Sequence, residues 1–329
     1  MTAFNGKIRI FSVYTAVLVI MALAAVYIPL FYIVAVLLMP LPLALLICRL
    51  DLRYSLAALL LTGAALFMVT GHLQIVLLIT LQTGPLGILL GLLFKNGVTA
   101  GRSLVVAIGM AVMITGAAFG LMYFLTGVSP FAPDQVDHSM FDQMRREIAD
   151  LSAQGMNPDN IKELDLVVDR VEAVWPVLAV ASTIIWIMVS TFFTYSVTRR
   201  SLARLGFQVP PAVPFSRWRF PWYIIWGVIA GLALRLAGDE FGSAGMTQAG
   251  NIILWVAGFI MAVLGAAVAG FYLKKWLSSR AARLMVVAGL IIFAHITVVV
   301  LVTMGLTDTI LNIRRLSPDG RTPEEEEKR

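Results

Sequence analysis

The chain has 329 residues, 59% of them hydrophobic and 13% charged, with a formal net charge of +6. Soluble domains run at about 45–50% apolar and about 25% charged residues, so a soluble globular fold is excluded. The bases lie between long apolar stretches, where orientation in a membrane accounts for them, and no nucleic-acid partner is expected. Cys48 is the single cysteine, which rules out an intrachain disulfide or CxxC chemistry.

A membrane pass needs roughly 20 apolar residues, fewer where a helix is short or kinked. Stretches at 11–28, 30–48, 54–70, 73–93, 103–127, 175–197, 220–238, 250–273 and 284–306 meet that condition. The expected fold is therefore an all-α, polytopic membrane helix bundle of about nine transmembrane helices. Lys7 and Arg9 before an apolar run, with Ala22-Leu23-Ala24 beyond, imitate a signal peptide; because the apolar sequence continues to Cys48, a retained first pass is expected. Pro29 separates the first two passes, and Pro40 and Pro42 should bend the second. Gly71-His72 leaves only a tight turn between the third and fourth.

Within the fourth pass, Gln82-Thr83-Gly84-Pro85 removes a backbone donor near the middle. Such a position is either a kink in a packed helix or irregular backbone lining a cavity. Glycine pairs at Gly87/Gly91, Gly116/Gly120 and Gly227/Gly231 have the spacing that lets helix backbones approach closely.

With the N-terminus inside, fifteen bases fall on the cytoplasmic side, from Lys7 and Arg9 through Lys95 and Arg199 to Lys274, Lys275, Arg280 and Arg283. That asymmetry is a strong positive-inside signal, as expected of an inner-membrane-type protein. Nine passes put the tail outside, against which stand Arg314 and Arg315 just after the last pass.

The segment 128–174 carries ten acids and belongs outside. Met140, Phe141, Met144, Ile148 and Leu151 share one helical face, Gly155 ends that helix, and Asn157-Pro158 opens another that runs into the sixth pass. The chain thus divides into five membrane passes (1–127), an external acidic helical insert (128–174), four passes (175–306) and a polar tail (307–329) expected to be disordered from Ser317 onward.

No HExxH, Walker-type or GxSxG motif is present. Leu236-Ala237-Gly238-Asp239 lacks the first glycine of the GxGD pattern and has no second intramembrane aspartate to pair with. His72, His138 and His295 are too dispersed for a metal site. Neither an enzyme nor a cofactor is implied. The polar residues that remain as binding candidates are Gln82, Arg235, Asn251 and His295, converging on an outward-opening pocket beneath the acidic insert. His295, near the centre of the last pass, is either a titrating relay or a neutral hydrogen-bonding group between helices. The two functional expectations are a non-catalytic small-solute binding or transport subunit, needing a separate energising partner, and a structural or assembly protein contacting a protein partner.

Several stretches carry a family resemblance: Tyr27-Ile28-Pro29, Leu38-Met39-Pro40-Leu41-Pro42, and Gly84-Pro85-Leu86-Gly87-Ile88-Leu89-Leu90-Gly91 before Lys95. Phe215, Trp218 and Pro221 form an F-x-x-W-x-x-P lead-in to a pass, Asn251 is a polar position in the next, and Gly305-Leu306-Thr307-Asp308 with Arg314 makes a closing motif. The chain resembles the YybS-like family of bacterial integral membrane proteins, domain of unknown function 2232. The resemblance brings no activity. It implies a fold distantly similar to the six-span substrate-capture subunits of energy-coupling-factor transporters, here with three passes added.

Overall fold

A backbone in hydrocarbon must bond to itself, and the chain complies with helices throughout. The computed structural model describes residues 2–126, 138–211, 213–277 and 279–316. Its α-helices are α1 (Thr2–Tyr27), α2 (Pro29–Leu38), α3 (Pro40–Arg49), α4 (Leu52–Thr70), α5 (Leu73–Lys95), α6 (Ala100–Thr126), α7 (His138–Ala153), α8 (Pro158–Arg204), α9 (Ile225–Glu240), α10 (Ala244–Trp276), α11 (Arg280–Ile292) and α12 (Ala294–Leu311). Nine helical stretches among the described residues, with α2 and α3 taken together, are long and apolar enough to cross a membrane. The tail expected to be disordered, and the first part of the acidic insert, lie outside the described residues.

Two compact units emerge: one from Met1–Pro130 with Trp186–Pro211, the other from Phe131–Ile185 with Ala212–Arg329. The first contains α1–α6 and the second half of α8. Prolines set its punctuation as expected: Pro29 opens α2, and Pro40 opens α3 after a turn at Met39. Gly71 ends α4 with a φ of 69°, a left-handed conformation that glycine adopts without a Cβ clash. Pro85 leaves α5 unbroken, which settles the reading of that pass as one continuous helix. Beside it, Gly87 lies against the Pro40 backbone and Leu43, and Gly91 against Ala44 and Ile47. The α5 glycines therefore seat α3. Thr194 of α8 donates to Leu37 O at 2.9 Å, and Ser55 of α4 to Leu43 O at 3.2 Å.

In the second unit, Gly155 (φ 88°) reverses the chain between α7 and α8, and Asn157 Oδ1 accepts from Asp159 N at 3.0 Å to cap α8. Phe141, Ile148 and Val168 close an apolar core, with the Phe141 ring edge-on to Trp175 at 5.9 Å. Arg145 bridges the hairpin, donating to Asp169 at 2.9 Å and to Glu172 at 2.5 Å. Those bonds raise the guanidinium's pKa, Asp169 contributing most. From this hairpin α8 runs unbroken for 47 residues into the membrane, as the sequence suggested.

Helices α9 and α10 are antiparallel: Gly231 meets Ile253 and Leu254, whereas Gly238 meets Met246 and Thr247. Helix α12 instead runs with α10. Advancing along α10 from Met261 to Tyr272 meets Gly305 and then Ile313 on α12. The apolar stretch 284–306, expected to be one pass, is two helices broken at Phe293 (φ −98°, ψ 39°). Gly265 and Gly305 make the α10–α12 contact, each backbone lying against the other helix's main chain at Leu301 and Met261. Of the glycines singled out in sequence, Gly87, Gly91 and Gly231 face a neighbour, while Gly116, Gly120 and Gly227 meet open space.

A Cβ at position 265 or 305 would fall on a main-chain carbonyl that cannot rotate away. Gly265→Ala and Gly305→Ala should each lower stability by about 1–3 kcal/mol, the usual cost of overpacking. Gly258→Ala on the same helix meets nothing within 4 Å and should be neutral. Thermal unfolding of the three variants in detergent checks this ordering.

Candidate functional site

In the first unit a cavity of about 270 Å3 is lined by Cys48, Phe94, Lys95, Leu202, Phe207, Gln208 and Val209. It forms at the C-terminal ends of α3, α5 and α8, and the chain beyond α8 makes one wall. Gly206 (φ 82°) turns that segment, and Phe207 N bonds back to Leu202 O at 3.1 Å. Arg199 Nε then donates to Pro210 O at 2.7 Å and ties down the far end of the strap. Residues 207–209 are thereby held over the cavity.

Opposite the strap, Phe94 stacks on Tyr195 with centroids 5.1 Å apart. The Tyr195 hydroxyl and Thr198 Oγ1, on the same face of α8 as Leu202, are buried without a hydrogen-bond partner. A buried hydroxyl without a partner costs about 1–3 kcal/mol, so two such groups beside one cavity are a notable expense. Cys48 Sγ donates to Gly91 O at 3.7 Å. Lys95 Nζ reaches Asp51 Oδ1 at 3.1 Å with both side chains about half exposed, an arrangement that solvent screens and that adds little stability. The Leu52 backbone N–H, and then Lys95, hold the Asp51 carboxyl below the ordinary carboxylate range.

The four binding candidates from the sequence are divided between the units, and none lines this cavity. Gln82 belongs to the first unit, is exposed, and accepts from Tyr32 OH at 2.8 Å. Arg235, Asn251 and His295 belong to the second. A Cβ on Gly250 would lie 2.6 Å from Arg235 N, which places Asn251 near the Arg235 backbone. The Arg235 side chain is exposed and Asn251 half-buried. His295 is exposed in the first turn of α12, well along that helix from its crossing with α10. Among the described residues no three His, Cys, Asp or Glu side chains converge as metal ligands would.

A second constellation was visible in sequence only as two separate motifs. Arg314 is fully buried, pairs with Asp308 Oδ2 at 2.7 Å through one terminal nitrogen and at 3.2 Å through Nε, and donates to Ser216 O at 2.8 Å and Trp218 O at 2.7 Å. Arg219 donates to Leu316 O at 2.6 Å, and Asn312 (φ 46°) turns the chain and bonds both ways with Leu316. Phe215 and Trp218 pack edge-to-face at 5.1 Å over the same loop. The F-x-x-W-x-x-P stretch and the closing motif therefore form one clamp around a guanidinium. A family model described as "Predicted membrane protein (DUF2232)" matches residues 16–309, a range that takes in the F-x-x-W-x-x-P stretch and Asp308. The chain belongs to this family. No curated protein and no solved structure matches it.

In this family member the strap depends on one bond that can be removed alone. Arg199→Gln should free residues 205–210 and make proteolytic cleavage there several-fold faster, with little change in Tm. Arg200→Gln, at the neighbouring position, should leave the cleavage rate as it was.

Proposed function

We propose that the protein is a non-catalytic membrane subunit that binds a small solute in the strapped cavity of its first unit. The supporting observation is the cavity itself, small but within reach of the lower bound of about 300 Å3 for ligand sites. Its composition suits such a role: an apolar lining from Phe94, Leu202, Phe207 and Val209, one cation in Lys95, and an amide in Gln208. A molecule with a short apolar or aromatic body and one anionic group matches that lining. The first unit's six apolar passes (α1, α2 with α3, α4, α5, α6 and the second half of α8) agree with the likeness to energy-coupling-factor capture subunits and with a YybS-like assignment. By the positive-inside rule the cavity end, with Arg49, Arg53, Lys95 and Arg102, faces the cytoplasm of a bacterial cell. No ATP-binding motif is present, so transport would need an energising partner. Gln82 in the first unit, and Arg235, Asn251 and His295 in the second, remain candidates for polar contacts within their own units.

A scaffold role has one specific observation in its favour. The α7–α8 hairpin is folded around its own core and yet exposes Met140, Met144, Leu164 and Val167. A protein partner captured stoichiometrically through those residues, with no ligand effect on stability, would favour that reading.

Thermal-shift screening of the purified protein against small carboxylates and phosphate esters tests the solute-binding proposal. A ligand at a hundredfold excess over its Kd stabilises by about 2.7 kcal/mol. We expect at least one compound to raise the Tm, and Val209→Trp, which fills the cavity from the strap, to abolish the shift. An equal shift in Val209→Trp, or no shift with any compound, would overturn it.

A further inference from the structure

We infer that α11 and α12 form a return pair, so that residues 312–316 lie on the same membrane face as residues 213–219 and the end of α10. The first support is direction. Helices α10 and α12 run the same way, because Met261 meets Gly305 and Tyr272 meets Ile313. Two parallel helices need a pass between them in the opposite sense. Among the described residues between them, α11 is the only helix, and its 13 residues rise about 20 Å. That is short of a full span, so the bend at Phe293 helps complete the return.

The second support is the clamp. Arg314 reaches the carbonyls of Ser216 and Trp218, and Arg219 reaches that of Leu316. Side chains bonded at 2.6–2.8 Å cannot have their backbones on opposite sides of a bilayer about 30 Å thick. A guanidinium buried with four hydrogen bonds is, besides, costly to withdraw.

Charge is the third support. With a return pair, Arg217, Arg219, Lys274, Lys275, Arg314 and Arg315 all gather on one face. A single last pass would separate the final two from the rest, against the positive-inside rule. The conflict that nine passes created at Arg314 and Arg315 disappears.

The test uses the full chain with Cys48→Ala and single cysteines introduced by Arg217→Cys, Phe241→Cys, Lys275→Cys and Arg315→Cys. A membrane-impermeant maleimide is applied to intact cells and to inverted vesicles. Positions 217, 275 and 315 should label from one side and position 241, between α9 and α10, from the other. Labelling of 315 together with 241 would overturn the inference. On the unsubstituted chain, a reporter fused after Arg329 should report the compartment to which position 275 faces; the opposite compartment would overturn it equally.

Discussion

Hydrocarbon offers no hydrogen-bond partners, and that single deficiency governs how this chain is built. Hydroxyls inside the passes turn back on their own helices, as Thr62 does to Ala58 O and Thr83 to Ile79 O. Where a side chain has a longer reach it joins helices instead, as with Tyr32 to Gln82 and Thr194 to Leu37. Each such bond is worth only ~0.6 kcal/mol on average. The heavier work falls to close packing at Gly87, Gly91, Gly265 and Gly305, because lipid tails give apolar helices no reason to associate. Arg314 is the extreme case. A full charge inside the protein is costly unless it is paired and hydrogen-bonded, so one carboxylate and two main-chain carbonyls are drawn to it.

Much of the architecture was legible because hydropathy and punctuation are local signals. Pro29, Pro40, Gly71, Gly155 and Asn157-Pro158 each act on the residues beside them, and the helices begin or end there. The break at Phe293 was not legible. The run from Leu284 to Leu306 holds no proline and is apolar but for His295, Thr297 and Thr303, so hydropathy reads it as one pass, and only the packing of α12 along α10 reveals two helices. The Arg314 clamp was half legible. Asp308 and Arg314 stood out as a motif, but the carbonyls they need lie nearly a hundred residues earlier, and sequence spacing carries no information about such a contact. The cavity was missed because its lining is ordinary in sequence. Phe94, Leu202 and Val209 read as packing residues, and only the strap tied by Arg199 makes a concavity of them.

The two units divide the chemistry. The first holds a small cavity at the C-terminal ends of α3, α5 and α8, and α8 also buries the Tyr195 and Thr198 hydroxyls without a hydrogen-bond partner. The second offers a folded acidic hairpin at one end of α8 and a locked loop-and-tail clamp in the segment that follows. Its polar residues at the α9–α10 turn, such as Asp239 with Thr247, are paired locally.

The claim on which the rest turns is that Arg314 and Asp308 act as one buried unit. A double-mutant cycle with Asp308→Asn, Arg314→Gln and the pair together, read by equilibrium unfolding in detergent, measures it. Each single change should cost about 3–5 kcal/mol by stranding its partner. The double variant should cost at least ~1.5 kcal/mol less than the sum, within the coupling seen for residues of one network. Costs that add to within ~0.5 kcal/mol would show two independent residues, and would contradict the clamp.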